Sequence, residues 1–266
     1  FLLAEPLSSL ADVLRLLAAL VGIMASAAGS AALNNVIEKD LDARMDRTRN
    51  RALPRGDITS EQALGFGICL TLGGTLWLML TVNLLTAFLV LATAFLYVLI
   101  YTPLKTRTWL NTTIGAVPGA MPTLCGWAAA SNDLDFGAWV MFAILFAWQH
   151  PHFYAIAWIY RDDYEKAGYK MLSVVDREGS RLFLQVILYT LLLAAVSLVP
   201  AFLQMAGTLY FAGALLLALY LLRASMRFIR HHTRQEARRL LFSTIVYLPA
   251  LLAVILADLS VVALLK

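Results

Sequence analysis

Asn34-Asn35-Val36-Ile37-Glu38-Lys39-Asp40-Leu41-Asp42-Ala43-Arg44-Met45-Asp46-Arg47-Thr48-Arg49-Asn50-Arg51 follows without a break on an apolar run at 9–33. Asn34, Glu38, Asp42 and Asp46 recur at every fourth residue. On a helix that spacing stacks them one turn apart along a single face. Stacked acids repel each other unless something cationic neutralises them. Hard oxygen donors of this kind suit Mg2+, which is held by one or two carboxylates together with substrate phosphates. Arg47, Arg49 and Arg51 follow at once, and guanidinium groups hold phosphate oxygens through paired N–H donors. A charge cluster at a helix end is more often a solvated loop. Here the strict four-residue recurrence, with Asn at its head, favours a ligand face: acids for a metal, arginines for an anion, at the edge of a membrane.

Composition sets that segment in a bilayer. Hydrophobic residues make up 61% of the 266, charged residues only 14%, and the mean hydropathy is +0.74. That excludes a soluble domain of this length. Long continuous apolar runs predict helices rather than a barrel, whose strands are short and alternating. The expected fold is therefore an all-α polytopic membrane bundle with eight spans, near 9–33, 62–81, 84–101, 112–131, 136–160, 181–203, 206–224 and 240–264. One domain covering 1–266 is expected, its second half a weak echo of its first. Nearly all Lys and Arg fall at 34–61, 102–111, 161–180 and 225–239, whereas 82–83, 132–135 and 204–205 hold none. The positive-inside rule places the four basic loops in the cytoplasm. Phe1-Leu2-Leu3-Ala4 reads as the tail of an apolar helix, so a ninth span is expected before it. Cys69 and Cys125 lie in separate apolar runs and form neither a disulfide framework nor a zinc spacing. No nucleic-acid partner is expected.

A second polar constellation, Trp148-Gln149-His150-Pro151-His152-Phe153-Tyr154, falls inside the fifth run. Polar side chains within a membrane face a protein interior or a cavity, and Pro151 should kink the helix. A neutral imidazole can ligate haem iron or act as a base; a lone His is about as often just bonded to a neighbouring helix. Two histidines, Gln149 and Trp148 around one kink favour a ligand pocket, with His150 and His152 both open as the ligand. Asp162 and Asp163 follow in a second acidic patch and are candidates for a second metal. Tyr101 and Lys105 add a phenol and a cation. Asn111, Gly115, Pro118, Gly119 and Pro122 make a small-residue, kinked fourth span. The basic stripe Arg223, Arg227, Arg230, Arg234 and Arg238 fits anionic headgroups. Asp258 is expected near the outer interface.

The Asn34–Asp42 face followed by Arg47-Thr48-Arg49-Asn50-Arg51 and on to Leu53-Pro54 resembles the UbiA-type intramembrane prenyltransferases. Trp148-Gln149-x-Pro151-His152-Phe153, Asp163-Tyr164-x-x-Ala167-Gly168-x-x-Met171-Leu172 and Tyr101-Thr102-Pro103-Leu104-Lys105 are similar to the protohaem IX farnesyltransferase (haem O synthase) branch, in order along the whole chain. The alternative is a relative acting on a quinone precursor or other lipid acceptor; those carry a second DxxxD pair, which is missing from the matching stretch here. The resemblance implies nine helices around a cavity and Mg2+-dependent transfer of farnesyl from farnesyl diphosphate to a vinyl group of haem B. Water addition then gives haem O, which serves terminal oxidases directly or through haem A synthase. The short loops favour a bacterial inner membrane over a mitochondrial one, and the resemblance puts Asn34, Asp42, Arg47, Arg51, Lys105 and Tyr101 in catalysis and Trp148, Gln149, His150 and His152 toward haem. The metal ligands would come from Asn34, Glu38, Asp42, Asp46, Asp162 and Asp163. Two positions depart from the pattern: Glu38 stands where many relatives carry Asp, and Ser173 where Pro is frequent.

Overall fold

The computed structural model describes residues 1–264 and is helical throughout, with no strand among the described residues. Among the described residues there are eight long helices: α1 (Leu10–Ile37), α2 (Ser60–Thr81), α3 (Leu84–Phe95), α4 (Asn111–Ser131), α5 (Phe136–Ile159), α6 (Ser180–Phe202), α7 (Thr208–His231) and α8 (Arg234–Leu264). They fall on the eight apolar runs. Six are long and apolar enough to cross a bilayer: α1, α2, α3 with its extension to Leu104, α6, α7 and the Arg234–Asp258 part of α8. The other two, α4 and α5, carry Pro118, Pro122, Pro151 and the polar residues of the second constellation. Protein rather than lipid surrounds much of them, so their sequences need not be apolar.

The helices gather into two compact units. The first is Phe1–Phe142 with Asp162–Met171; the second is Ala143–Arg161 with Leu172–Lys266. The division falls inside α5, close to the boundary between the two expected halves.

In the first unit, α1 begins with a capping box: Ser9 Oγ accepts from Asp12 N, and the Asp12 carboxylate accepts from Ser9 N at 2.9 Å. It packs on α2 through residues without bulk. A Cβ on Gly29 would lie 2.6 Å from the Gly67 carbonyl oxygen, and one on Gly74 would lie 2.7 Å from the Gly22 carbonyl oxygen. Backbone meets backbone here, as in tightly crossed membrane helices. Asn83 caps α3 by accepting from Thr86 N at 2.8 Å, and its amide donates to the Ala128 carbonyl of α4. The α3 ladder then widens into a π-helix at Leu96–Tyr101 before a final turn at Thr102–Leu104. Ala116, Ala120, Ala128 and Ala129 of α4 are fully buried, so this helix forms the unit's core.

In the second unit, hydroxyl groups link the helices. Tyr210 Oη donates to the Ser197 carbonyl at 2.7 Å, and Tyr247 Oη to Ser197 Oγ at 2.8 Å. Such interhelical bonds contribute ~0.6–2 kcal/mol each. Asp258 is 3% exposed and accepts from the backbone N–H groups of Gly207 and Tyr210, at the start of α7. It is buried by protein and caps the start of α7, beside the 204–205 connection that the charge pattern puts on the outer side. Arg227 of the predicted basic stripe pairs with the buried Glu236, which Arg239 also meets; the two arginine side chains remain 46 and 49% exposed.

Candidate active site

Backbone hydrogen bonds run from Glu38 N to Asn34 O (2.9 Å) and from Asp42 N to Glu38 O (2.8 Å). The four-residue register therefore persists from Asn34 to Asp42, although α1 formally ends at Ile37 and a short turn, Lys39–Asp42, follows. Beyond Asp42 the bonds shorten to three residues, as from Met45 N to Asp42 O, and the face is lost. Asn34, Glu38 and Asp42 are 5, 4 and 1% exposed. The side chain of Asp46 is 60% exposed, and it pairs with Arg49 and with Lys166.

Each buried acid faces a cation. Lys105 Nζ lies 2.8 Å from Glu38 Oε1 and 3.0 Å from Oε2, but only the contact to Oε2 is aligned as a hydrogen bond. Oε1 is buried with no hydrogen-bond partner. Arg51 donates to Asp42 Oδ2 at 2.7 Å and to Asn35 Oδ1 at 3.1 Å. Thr48, buried between the arginines, donates to the Asp42 carbonyl at 3.0 Å and closes the turn that brings Arg51 back.

Asn34 is oriented by the π-helix. Thr102 Oγ1 donates its proton to the Tyr97 carbonyl at 2.8 Å, so it accepts from Asn34 Nδ2 at 2.9 Å. The amide nitrogen is committed, and Oδ1 is the atom Asn34 offers to a ligand. Tyr101 sits at the end of the π-helix with Lys105 Nζ 4.7 Å from its ring centroid. Gly115 makes room for that ring: a Cβ there would stand 2.4 Å from Tyr101 Cε2.

Three further groups belong to this cluster. Lys170 N donates to the Lys105 carbonyl at 2.8 Å, and Asn111 Nδ2 donates to the Lys170 carbonyl at 3.1 Å. These bonds hold the 162–171 segment against the loop that carries Lys105. The Tyr169 phenol lies against Glu38; burial pushes its pKa up, and the Glu38 charge adds to the shift. Thr102 and Asn111 stood in segments singled out from the sequence but were given no role there, and Tyr169 was not singled out. Nothing in a lone Thr or Tyr marks it until the chain is folded, although the π-helix sits where such bulges frequently mark functional positions.

Asp162 and Asp163 open a short helix, Arg161–Ala167. Lys166 bridges this segment to Asp46, at 3.2 Å from Asp46 and 3.8 Å from Asp163. Its pKa is raised, first by the Asp46 hydrogen bond. Among the described residues no three His, Cys, Asp or Glu side chains gather so as to share a metal ion. Asp46, Asp162 and Asp163 instead meet at Lys166. What the structure does bring together is Glu38, Asp42 and the Asn34 carbonyl oxygen, one turn apart. Two carboxylates, one of them with a buried oxygen (Glu38 Oε1) that accepts no hydrogen bond, and an amide oxygen form a hard donor set that fits Mg2+ completed by phosphate oxygens.

The second constellation lies in the second unit. Trp148 Nε1 donates to the Thr244 carbonyl at 2.7 Å, and His152 Nδ1 lies 2.9 Å from Thr244 Oγ1. The two rings stack with centroids 4.7 Å apart. His150 is fully buried, flat against Tyr189 at 3.4 Å, with Nδ1 2.8 Å from the Phe146 carbonyl. Gln149 Nε2 donates to the Leu145 carbonyl at 3.3 Å.

The family model described as the UbiA prenyltransferase family matches residues 2–255. The chain is 46% identical over 247 residues to a protein of Solibacter usitatus (strain Ellin6076) named protoheme IX farnesyltransferase, covering 93% of this chain and 85% of that one. Two solved structures share the fold. A digeranylgeranylglyceryl phosphate synthase superposes with a TM-score of 0.81 at 15% identity, over 97% of this chain and 89% of its own. A UbiA homolog from Archaeoglobus fulgidus bound to DMAPP and Mg2+ gives 0.64 at 14% identity, over 95 and 90%. With its buried acid–cation face intact and its match running nearly end to end, this multi-pass membrane chain belongs to the UbiA prenyltransferase family.

Proposed function

We propose that this chain is a protohaem IX farnesyltransferase: it moves farnesyl from farnesyl diphosphate to a vinyl group of haem B, water adds, and haem O and diphosphate are released. The observation that carries this reading is the 46% identity to a relative of that name along nearly the whole chain. The buried Asn34–Glu38–Asp42 face and the Trp148–Phe153 segment agree with it, and a fold neighbour holding DMAPP with Mg2+ supports the assignment of the acid face.

Asn34, Glu38 and Asp42 would hold Mg2+, which when bound supplies positive charge to the diphosphate leaving group. Lys105 and Arg51, already drawn to the face by its acids, present N–H donors to the remaining phosphate oxygens, and Arg47 is a further candidate donor from the same loop. Donors aimed at charge that grows on the leaving group lower the barrier to breaking the allylic C–O bond. The Tyr101 ring, with a cation already over it, offers a π face to an allylic cation. The electron-rich vinyl group attacks that cation, and the cation left on the haem side takes water and loses a proton. His152 or His150 holds the porphyrin. Asp46, Asp162 and Asp163 shape the rim through Lys166 rather than hold a second metal. The basic loops face the cytoplasm of a bacterial inner membrane, and the product passes to a terminal oxidase or to haem A synthase.

Membranes containing the chain, supplied with haem B, farnesyl diphosphate and Mg2+, test the reading by chromatography and mass. A haem heavier by farnesyl and water, absent when Mg2+ is chelated, is the expected product. Unchanged haem with farnesyl on an offered quinone precursor would move the chain to the rival branch.

A further inference from the structure

Thr244 on α8 is fully buried and holds two residues of the haem-branch motif at once. Its carbonyl accepts from Trp148 Nε1 at 2.7 Å. Its hydroxyl lies 2.6 Å from the Leu241 carbonyl and 2.9 Å from His152 Nδ1. A hydroxyl has one proton, and a carbonyl can only accept. The proton therefore goes to Leu241, and the contact to the imidazole is Nδ1–H donating to Thr244 Oγ1. A neutral imidazole, the form favoured among apolar helices, then carries its lone pair on Nε2.

The same residue fixes the plane of the ring. The Trp148 indole, anchored on the Thr244 carbonyl, stacks on His152 with an interplanar angle of 22°. His150 differs in exposure: it is 0% exposed and lies at 7° against Tyr189. His152 retains partial exposure. We infer that Thr244 is a positioning residue that locks His152 in its Nδ1–H tautomer and presents Nε2 as the axial ligand to the iron of the porphyrin substrate. This rests on the proposed function, since it needs a metalloporphyrin to bind. Hydrogen-bond partners of a metal-bound His orient the ring and raise its basicity, and their loss typically costs ~10–100-fold in metal affinity.

The experiment uses the whole chain in detergent micelles, haem B as the probe, and resonance Raman of the ferrous state alongside an affinity titration. Wild type should show an iron–histidine stretch that His152→Ala loses. Thr244→Val, which keeps the shape and removes the hydroxyl, should weaken haem binding at least ~10-fold and shift the stretch. Thr244→Ser should restore both. Unchanged binding of Mg2+ with a farnesyl diphosphate analogue reports that each variant is folded. A Thr244→Val protein with the wild-type stretch and affinity overturns the positioning role and leaves the function standing. Retention of the stretch in His152→Ala overturns it by assigning the iron to another residue. Failure of wild type to bind haem removes the function itself. Independently of any variant, 15N-labelled wild type should place the His152 proton on Nδ1; a proton on Nε2 overturns the inference.

Discussion

Replacing Asp42 with Ala removes one hard oxygen donor and leaves Arg51 without its carboxylate partner. Asp42 is 1% exposed and its carboxylate is held by Arg51 at 2.7 Å. Turnover should fall by more than ~100-fold, the scale seen when one preorganised charge-stabilising group is lost. Haem titration should be unchanged, because the Trp148–His152 constellation has its own partners. Near-normal turnover would show that the metal assignment is wrong. Thr48→Val separates the second component. It keeps every charge and loses only the bond to the Asp42 carbonyl. Releasing the turn that carries Arg51 should raise KM for farnesyl diphosphate several-fold with a smaller effect on kcat. Tyr169 gives a pH-dependent signature. Its phenol is raised by burial and then by Glu38, so the folded state keeps the proton when an unfolded phenol would lose it. The associated stability is complete below the ordinary tyrosine pKa of ~10 and is lost as pH rises toward the folded value. Difference titration at the tyrosinate band, wild type minus Tyr169→Phe, should show a step above the ordinary phenol range. A step near pH 10 would mean the phenol is solvated.

Helix α1 and helix α2 show what the sequence discloses at the scale of an element and what it hides. Their existence was legible, because ~20 apolar residues in a row have few other uses. The shared face of Asn34, Glu38 and Asp42 was legible, since a four-residue spacing has a direct meaning on a helix. It was over-read at Asp46, where the backbone tightens to three-residue bonds and turns away. The π-helix at Leu96–Tyr101 was invisible, because nothing in Leu-Tyr-Val-Leu-Ile-Tyr departs from an ordinary apolar helix. So was the pairing of Gly29 and Gly74 with the opposite backbone, which depends on the crossing of two helices and not on either alone. That crossing supports a matched test. Gly29→Val places its Cβ 2.5 Å from Thr71 Oγ1 and 2.6 Å from Thr71 N, and backbone cannot move aside. It should destabilise the unit by ~3 kcal/mol or more, beyond ordinary overpacking. Gly65→Ala and Gly73→Ala meet nothing within 4 Å and should be neutral or stabilising by up to ~1 kcal/mol. Thermal midpoints in detergent compare them; equal losses from Gly29→Val and Gly73→Ala would contradict the close crossing.

Large apolar side chains such as Phe66, Leu80, Phe88 and Leu216 are well exposed, while Asn34, Glu38 and Asp42 are buried. That inversion of an aqueous protein is the property of the whole molecule that composition foretold. It also makes the topology testable with thiols. Cys69 is exposed at mid-helix on α2, and Cys125 is buried on α4. A thiol facing hydrocarbon or packed inside the protein is out of reach of a charged, water-borne reagent. An impermeant maleimide should therefore label neither in intact membranes and both after denaturation. With both replaced by Ser, single cysteines can be placed at three exposed connections: Asn50→Cys before α2, Arg107→Cys after α3, and Asp133→Cys after α4. Helices α2 and α3 separate the first two, an even number of crossings, so positions 50 and 107 should react from one face of sealed vesicles. A third crossing by α4 should put position 133 on the other face. Helix α4 is the decisive member, since its prolines and small residues leave it short of the apolarity that marks the other spans. Labelling of 107 and 133 from the same face would mean that α4 turns back without crossing. Opposite labelling, with 50 and 107 accessible only from the cytoplasmic side, would fix both its crossing and the side on which Asn34, Glu38 and Asp42 meet their substrate.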